Sequence, residues 1–152
     1  MKDGIDQSPD QNAARRAWMS LLARAPGHHV TDLLTDQPAF DWLRAPEIGS
    51  TMVRGRAGGT GAPFNLGEIT VTRCALRLSC GTVGHAYVQG RDKAHAQAAA
   101  LVDALMQTDA APRIRAQVLD PLDRAATERR RSRAEKAAAT KVDFFTMVRG
   151  ED

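Results

Sequence analysis

The sequence predicts an α+β fold: a four-stranded, mainly antiparallel sheet covered by helices, with an N-terminal helix before it and a C-terminal helical arm and apolar tail after it. Three observations predict this. Apolar residues recur at helical spacing ahead of Pro26 and again after Asp92. Between Phe40 and Gly90 the period falls toward two, with glycine-rich punctuation. Beyond Asp120 the pattern is helical but polar all round, until Val142, Phe144, Phe145, Met147 and Val148 gather near the end.

The elements follow in order. Residues 1–12 are expected to be a polar tail, residues 13–110 the α+β core, and residues 111–152 a helical arm with a partner-docking tail. Ser8-Pro9-Asp10-Gln11 is a helix-start signal, with a capping serine, proline at the first helical position and glutamine three residues after the cap. Trp18, Leu21, Leu22 and Ala25 continue the helix, and Pro26-Gly27 stops it. A short second helix is expected around Val30 to Leu34.

Strands are expected from Phe40 to Arg44, Ser50 to Ala57, Leu66 to Ser79 and Thr82 to Gly90. Cys80-Gly81 would close the last two as a two-residue hairpin. In that register Leu78 faces Val83, Leu76 faces His85 and Cys74 faces Tyr87 on a bulky apolar side, while Arg77, Ala75 and Arg73 share the other side with Gly84, Ala86 and Val88. The apolar residues change parity at Ile69 and Val71, which calls for a bulge near Thr72 or burial of both faces. Asp92 caps a helix with a narrow stripe of Ala94, Ala98, Leu101, Val102 and Leu105. A short helix around Ile114 to Leu119 follows, and Asp120-Pro121 restarts the chain as a last helix with its own cap.

Composition narrows the function. The chain's 152 residues hold one core, but only two Trp, one Tyr and four Phe, with alanine making up much of the apolar count. So thin a core favours surface shared with another protein. A formal charge of +3 is a weak argument for nucleic acid. No apolar h-region opens the chain and no run approaches the roughly 18 apolar residues of a membrane span, so a cytoplasmic protein without membrane contact is expected. Cys74 and Cys80, ~20 Å apart in an extended strand and turn, are too distant for a disulfide.

Candidate chemistry is sparse. Gly55, Gly58, Gly59 and Gly61 match neither a Walker loop nor a dinucleotide fingerprint, and a strand follows them where phosphate binding would want a helix. Arg54 and Arg56 beside Gly58, Gly59, Thr60 and Gly61 could still form part of an anion site completed by another chain. Arg91, Lys93 and His95 at the start of the third helix could meet a phosphate, though a cap and first turn explain them as well. His28, His29, His85, Cys74 and Cys80 offer no metal-ligand spacing, and no metal or cofactor is expected on this chain alone. The run Arg129 to Arg131 with Arg133 reads as a solvated face with i, i+4 pairs, lacking the aromatics that RNA stacking would use.

Taken together, "RAGGTGAPFNLGE", "TRCALRLSCGTVGHAYVQGRDKAHAQAAALVDALMQ" and the terminal "VDFFTMVRG" resemble the PhnG family, small subunits of the bacterial carbon-phosphorus lyase core complex, over about Arg16 to Gly150. The family usually has Asp-Gly at the hairpin turn where this chain has Cys80-Gly81. The resemblance implies phosphonate catabolism: PhnG-like proteins act with PhnH, PhnI and the ATPase-like PhnL when a phosphonate displaces adenine from ATP to give a ribose 1-phosphonate 5-triphosphate. The radical subunit PhnJ acts later. It further implies a hetero-octameric core in which the transfer chemistry belongs to PhnI, with ATP and phosphonate as substrates of the complex. No catalytic residue carries over to this chain.

The expected role is therefore a subunit of a transferase without a complete active site of its own, with Phe144, Phe145, Met147, Val148 and Arg149 as interface candidates. The competing readings are a free-standing nucleotide or RNA-binding module, and a small enzyme acting alone, which lacks a nucleophile-base pair.

Overall fold

The structure is a computed structural model that describes residues 9–141. Helix α1 (Pro9–Arg24) and helix α2 (Gly27–Leu33) lead into strand β1 (Phe40–Arg56), a 3-10 turn (Ala57–Gly59), strand β2 (Pro63–Leu78) and strand β3 (Val83–Gln89). Helices α3 (Lys93–Leu105) and α4 (Ala111–Ile114) follow, and a π-helical turn (Arg115–Leu119) runs into helix α5 (Asp120–Ala139). The three strands form one antiparallel sheet in the order β1-β2-β3. Helix α2 begins three residues before the expected Val30, directly after Pro26.

The sheet has three strands where four were expected, because the segments Phe40–Arg44 and Ser50–Ala57 are one continuous strand. Pro46 lies within it. Proline is tolerated there because β1 is an edge strand and its pairing shifts register between Trp42 and Arg44 and between Arg44 and Glu47.

The β2–β3 hairpin also differs from the expected register by one residue. The Leu78 amide donates to the Thr82 carbonyl and the Gly81 amide to the Leu78 carbonyl, so the loop is Ser79-Cys80-Gly81, with Gly81 at φ +90°. A three-residue loop that ends in a left-handed glycine replaces the two-residue turn. Cys74 therefore pairs with Ala86, Leu76 with Gly84 and Arg77 with Val83. A shift of one residue in one strand moves all its side chains to the other face. Gly84, Ala86 and Val88 turn inward with Cys74, Leu76 and Leu78, and His85 and Tyr87 turn out. At the parity change Val71 and Thr72 are both buried, with no register shift in β2–β3.

The inward face lies against α3, which is wider in its burial than the expected stripe. From His95 to Leu105 every α3 residue except Gln97 is buried. The small residues explain how this helix fits. A Cβ built on Gly84 would overlap the Ala100 carbonyl oxygen and come within 2.8 Å of the Ala104 Cβ. Helix and strand thus touch backbone to backbone, a contact that alanine on one side and glycine on the other permit. Leu22, Val30, Ile114, Val118 and Leu122 close the core from the remaining helices.

Helix α5 does not restart with a cap of its own. Leu119 and Asp120 have helical φ and ψ, Asp120 makes no capping bond through its side chain, and its amide donates to the Arg115 carbonyl, five residues back. The π turn takes up the register change at Pro121, whose nitrogen cannot donate, so the helical run continues unbroken.

Replacement of Gly84 by alanine forces the Ala100 backbone away from the sheet. We expect Gly84→Ala to lower unfolding stability by about 3 kcal/mol or more in urea titration, at the upper end of overpacking costs, whereas Gly67→Ala, with open space around its Cβ, should cost under ~1 kcal/mol.

Candidate functional site

Beyond the core the β1–β2 hairpin continues as a two-stranded arm. Strand β3 ends opposite Val71, and the chain leaves the sheet at Gly90, whose amide donates to the Thr70 carbonyl. From there to the tip β2 pairs only with β1, and no residue from Asp41 to Thr70 is buried. A bare two-stranded ribbon is marginal in water.

The two faces of the arm differ. Register places Thr51 with Ile69, Val53 with Gly67 and Gly55 with Phe64 on one face. A Cβ on Gly55 would sit 3.6 Å from the Phe64 ring and 3.8 Å from the Leu66 Cβ, so Phe64 and Leu66 lie together over this glycine. Leu66 is displaced by the bulge between Val53 and Arg54 and is 67% exposed. The opposite face carries Met52 with Glu68, Arg54 with Asn65, and Arg56. The arm therefore has one apolar face and one face ending in two cations.

The glycine loop closes the arm. The Gly61 amide donates to the Ala57 carbonyl at 2.8 Å, and a Cβ on Gly61 would come within 2.6 Å of that same oxygen. Gly58 and Gly59 have φ of +61° and +82°, which side chains rarely adopt. An Arg56 Nη1 donates to the Gly61 carbonyl at 3.2 Å, tying the guanidinium to the loop. Arg54, Arg56 and Thr60 are all exposed.

The second group of candidates does not join the first. Arg91 directly follows Gly90, which bonds to Thr70, and Thr70 is seven residues of strand, ~23 Å, from the loop end at Pro63. Arg91 and Lys93 are exposed at the start of α3, where the Asp92 side chain accepts the His95 amide, the cap that the sequence signals. His95 itself is a core residue and no surface ligand. It is 2% exposed, and its Nε2 donates to the Leu22 carbonyl at 2.8 Å, joining α3 to α1. The interface candidates Phe144, Phe145, Met147, Val148 and Arg149 lie outside the described residues.

Cys74 and His85, expected on the same side of the sheet, are on opposite faces, Cys74 opposite Ala86 and His85 opposite Ala75. Burial pushes the Cys74 thiol up to about 11, and its sulfur donates to the Ala96 carbonyl. Cys80 is exposed, and its side-chain hydrogen bond with Thr82 holds its pKa below the ordinary thiol value. Among the described residues no three His, Cys, Asp or Glu side chains gather as a metal site would require.

Sequence reasoning missed the most highly connected polar group. Asp103, fully buried on α3, accepts from Arg15 Nε and Nη2, from Trp18 Nε1 and from the His85 amide. Gln107 Nε2 donates to the Val83 carbonyl nearby. These side chains occupy two backbone groups on the open edge of β3, the His85 amide and the Val83 carbonyl, where another strand would otherwise pair. The pair Arg15 and Trp18 at i, i+3 on α1 was the available signal, but their partner is more than eighty residues away.

Comparison with known proteins places the chain. The family model described as "Phosphonate metabolism protein PhnG" matches residues 13–150. The chain belongs to the PhnG family. It is 49% identical, over the full length of both chains, to the alpha-D-ribose 1-methylphosphonate 5-triphosphate synthase subunit PhnG of Rhizobium meliloti (strain 1021).

Two outcomes test this description. Alkylation at pH 8 should label Cys80 in the native protein and Cys74 only after denaturation, because a thiol at about 11 is roughly one part in a thousand thiolate at that pH; labelling of both at equal rates would contradict the burial. Asp103→Ala strands the Arg15 guanidinium and the Trp18 indole, and should cost about 3 kcal/mol in urea unfolding, as broken buried pairs do.

Proposed function

We propose that this chain is a non-catalytic subunit of a ribose 1-methylphosphonate 5-triphosphate synthase and is held in that complex by its β-arm. The observation that carries the first half is the full-length identity of 49% to a relative named as such a subunit. The second half rests on Phe64, Leu66 and Ile69, large apolar side chains left exposed on one face of a ribbon that is marginal when bare. Burying them against another subunit supplies what the thin core lacks.

The reaction assigned to the complex is the PhnI-type transfer: a phosphonate oxygen bonds to the ribose C1′ of ATP as the bond to adenine breaks, giving ribose 1-phosphonate 5-triphosphate. On this reading the present chain does not move the electrons or the proton. Its arm seats on the PhnI-like subunit with the apolar face, and the far end brings Arg54 and Arg56 toward the phosphates of the bound nucleotide. Guanidinium groups suit that task, because they grip phosphate oxygens in pairs without changing protonation. PhnH, PhnJ and PhnL-type subunits complete the assembly.

Co-expression of the PhnI-like and PhnH-like partners with a tagged form of this chain separates the two claims. The double variant Phe64→Ser, Leu66→Ser should fold, since both positions are exposed, and should reduce co-purification at least tenfold, about 1.4 kcal/mol or more of interface energy. Arg54→Ala with Arg56→Ala should leave the complex intact and lower adenine release. Undiminished co-purification of the serine variant would remove the arm as the docking element, and full activity of the alanine variant would remove the arginines from the nucleotide site.

A further inference from the structure

Helix α5 carries Ala126, Arg129, Arg130 and Arg133 at spacings of three, four and seven residues, the positions where an apolar stripe would normally meet the neighbouring helix. They do meet a neighbour. These four residues, with Leu21, Arg24 and Ala25 at the end of α1, line a hollow of about 140 Å³. Its floor is Leu21, Ala25 and Ala126; its rim is four arginines, two turns of one helix facing the last turn of another, and among the described residues no carboxylate lines it.

The sequence pattern suggested that acidic neighbours neutralise this run through i, i+4 pairs. One such pair forms, Arg131 with Glu135, but Arg131 lies on the other side of the helix from the hollow. Arg129, Arg130 and Arg133 make no hydrogen bond or ion pair with any described residue. Arg24 is fixed by its Nε, which donates to the Ser20 carbonyl at 3.0 Å, and its terminal nitrogens have no partner among the described residues. Like charges at i, i+4 repel on a helix. Arg129 and Arg133 stand in that relation, and Arg24 adds a further charge from across the hollow.

We propose that the hollow between α1 and α5 is a binding site for a short phosphate chain. Four guanidinium groups without counter-charge among the described residues call for a compact polyanion, and each offers the paired donors that match phosphoryl oxygens. The volume is well below the roughly 300 Å³ at which pockets begin to hold whole drug-sized ligands, so the hollow takes the anionic chain and leaves the rest of any carrier molecule outside. An RNA strand would use bases as well as phosphates, and among the described residues no aromatic side chain lines the hollow to stack them. The site is separate from the arm and does not depend on the proposed function.

Calorimetric titration of the full chain with inorganic tripolyphosphate tests the proposal. The expected result is saturable one-to-one binding that weakens as salt is raised, is at least tenfold weaker in Arg129→Gln with Arg133→Gln, and is unchanged in Arg131→Gln. Both altered side chains point from an existing helix surface, and circular dichroism of the variant verifies that the helix remains. Orthophosphate should bind at least tenfold more weakly than tripolyphosphate. Absence of saturable binding at low salt, equal affinity in the double variant, or preference for a single-stranded RNA oligonucleotide over tripolyphosphate would each overturn the proposal.

Discussion

The contact on which the rest of the structure depends is the approach of α3 to β3 at Gly84. Because no Cβ intervenes, the Ala100 and Ala104 region of the helix lies directly on the strand. That closeness brings Asp103 within 2.9 Å of the His85 amide, so one carboxylate binds the strand and also holds Arg15 and Trp18 of α1. One short distance thus sets the helix on the sheet, satisfies a free strand edge and orders the N-terminal helix. A larger residue at 84 would disturb all three, since the carboxylate cannot reach the strand if the helix lifts.

The same economy explains why the molecule looks outward. Alanine supplies seven of the 23 buried apolar residues described; it packs tightly but buries little area per residue, and hydrophobic stabilisation scales with area. The large apolar groups that could have enriched the core, Leu66, Phe64, Met52 and Ile69, are on the arm. A long ribbon with an apolar face makes sense for a protein whose relative is named as a subunit of a synthase. The chain engages the Val83 carbonyl and the His85 amide at its β3 edge with its own side chains, and no residue of its β1–β2 arm is buried among the described residues.

Charge is divided in a comparable way. On the exposed sheet surface Glu47 lies between Arg44 and Arg73, and the Arg73 hydrogen bond holds its carboxyl below the usual range. The arginines of α5 that face α1 have no such neighbour among the described residues. Sequence proximity of Glu128 and Glu135 to the run suggested neutralisation, but a helix turns 100° per residue, and only Glu135 came to lie beside an arginine to which it bonds, Arg131.

How much was legible follows from the range of each interaction. The capped helix at Asp92, the α+β class and the family motifs are local patterns, set by side-chain chemistry within a few residues, and the sequence determined them. The hairpin register was not so determined: apolar residues occur at both parities from Ile69 to Val88, and Cys80-Gly81 fits a loop of two or three residues equally well. Only packing against α3, which requires glycine and alanine inward at 84 and 86, selects one face. Continuity of β1 through Pro46 likewise depended on its place at the sheet edge. The fate of His95, the partners of Asp103 and the convergence of Arg24 with Arg129, Arg130 and Arg133 depend on residues far apart in the chain, which share a neighbourhood only once the helices have packed.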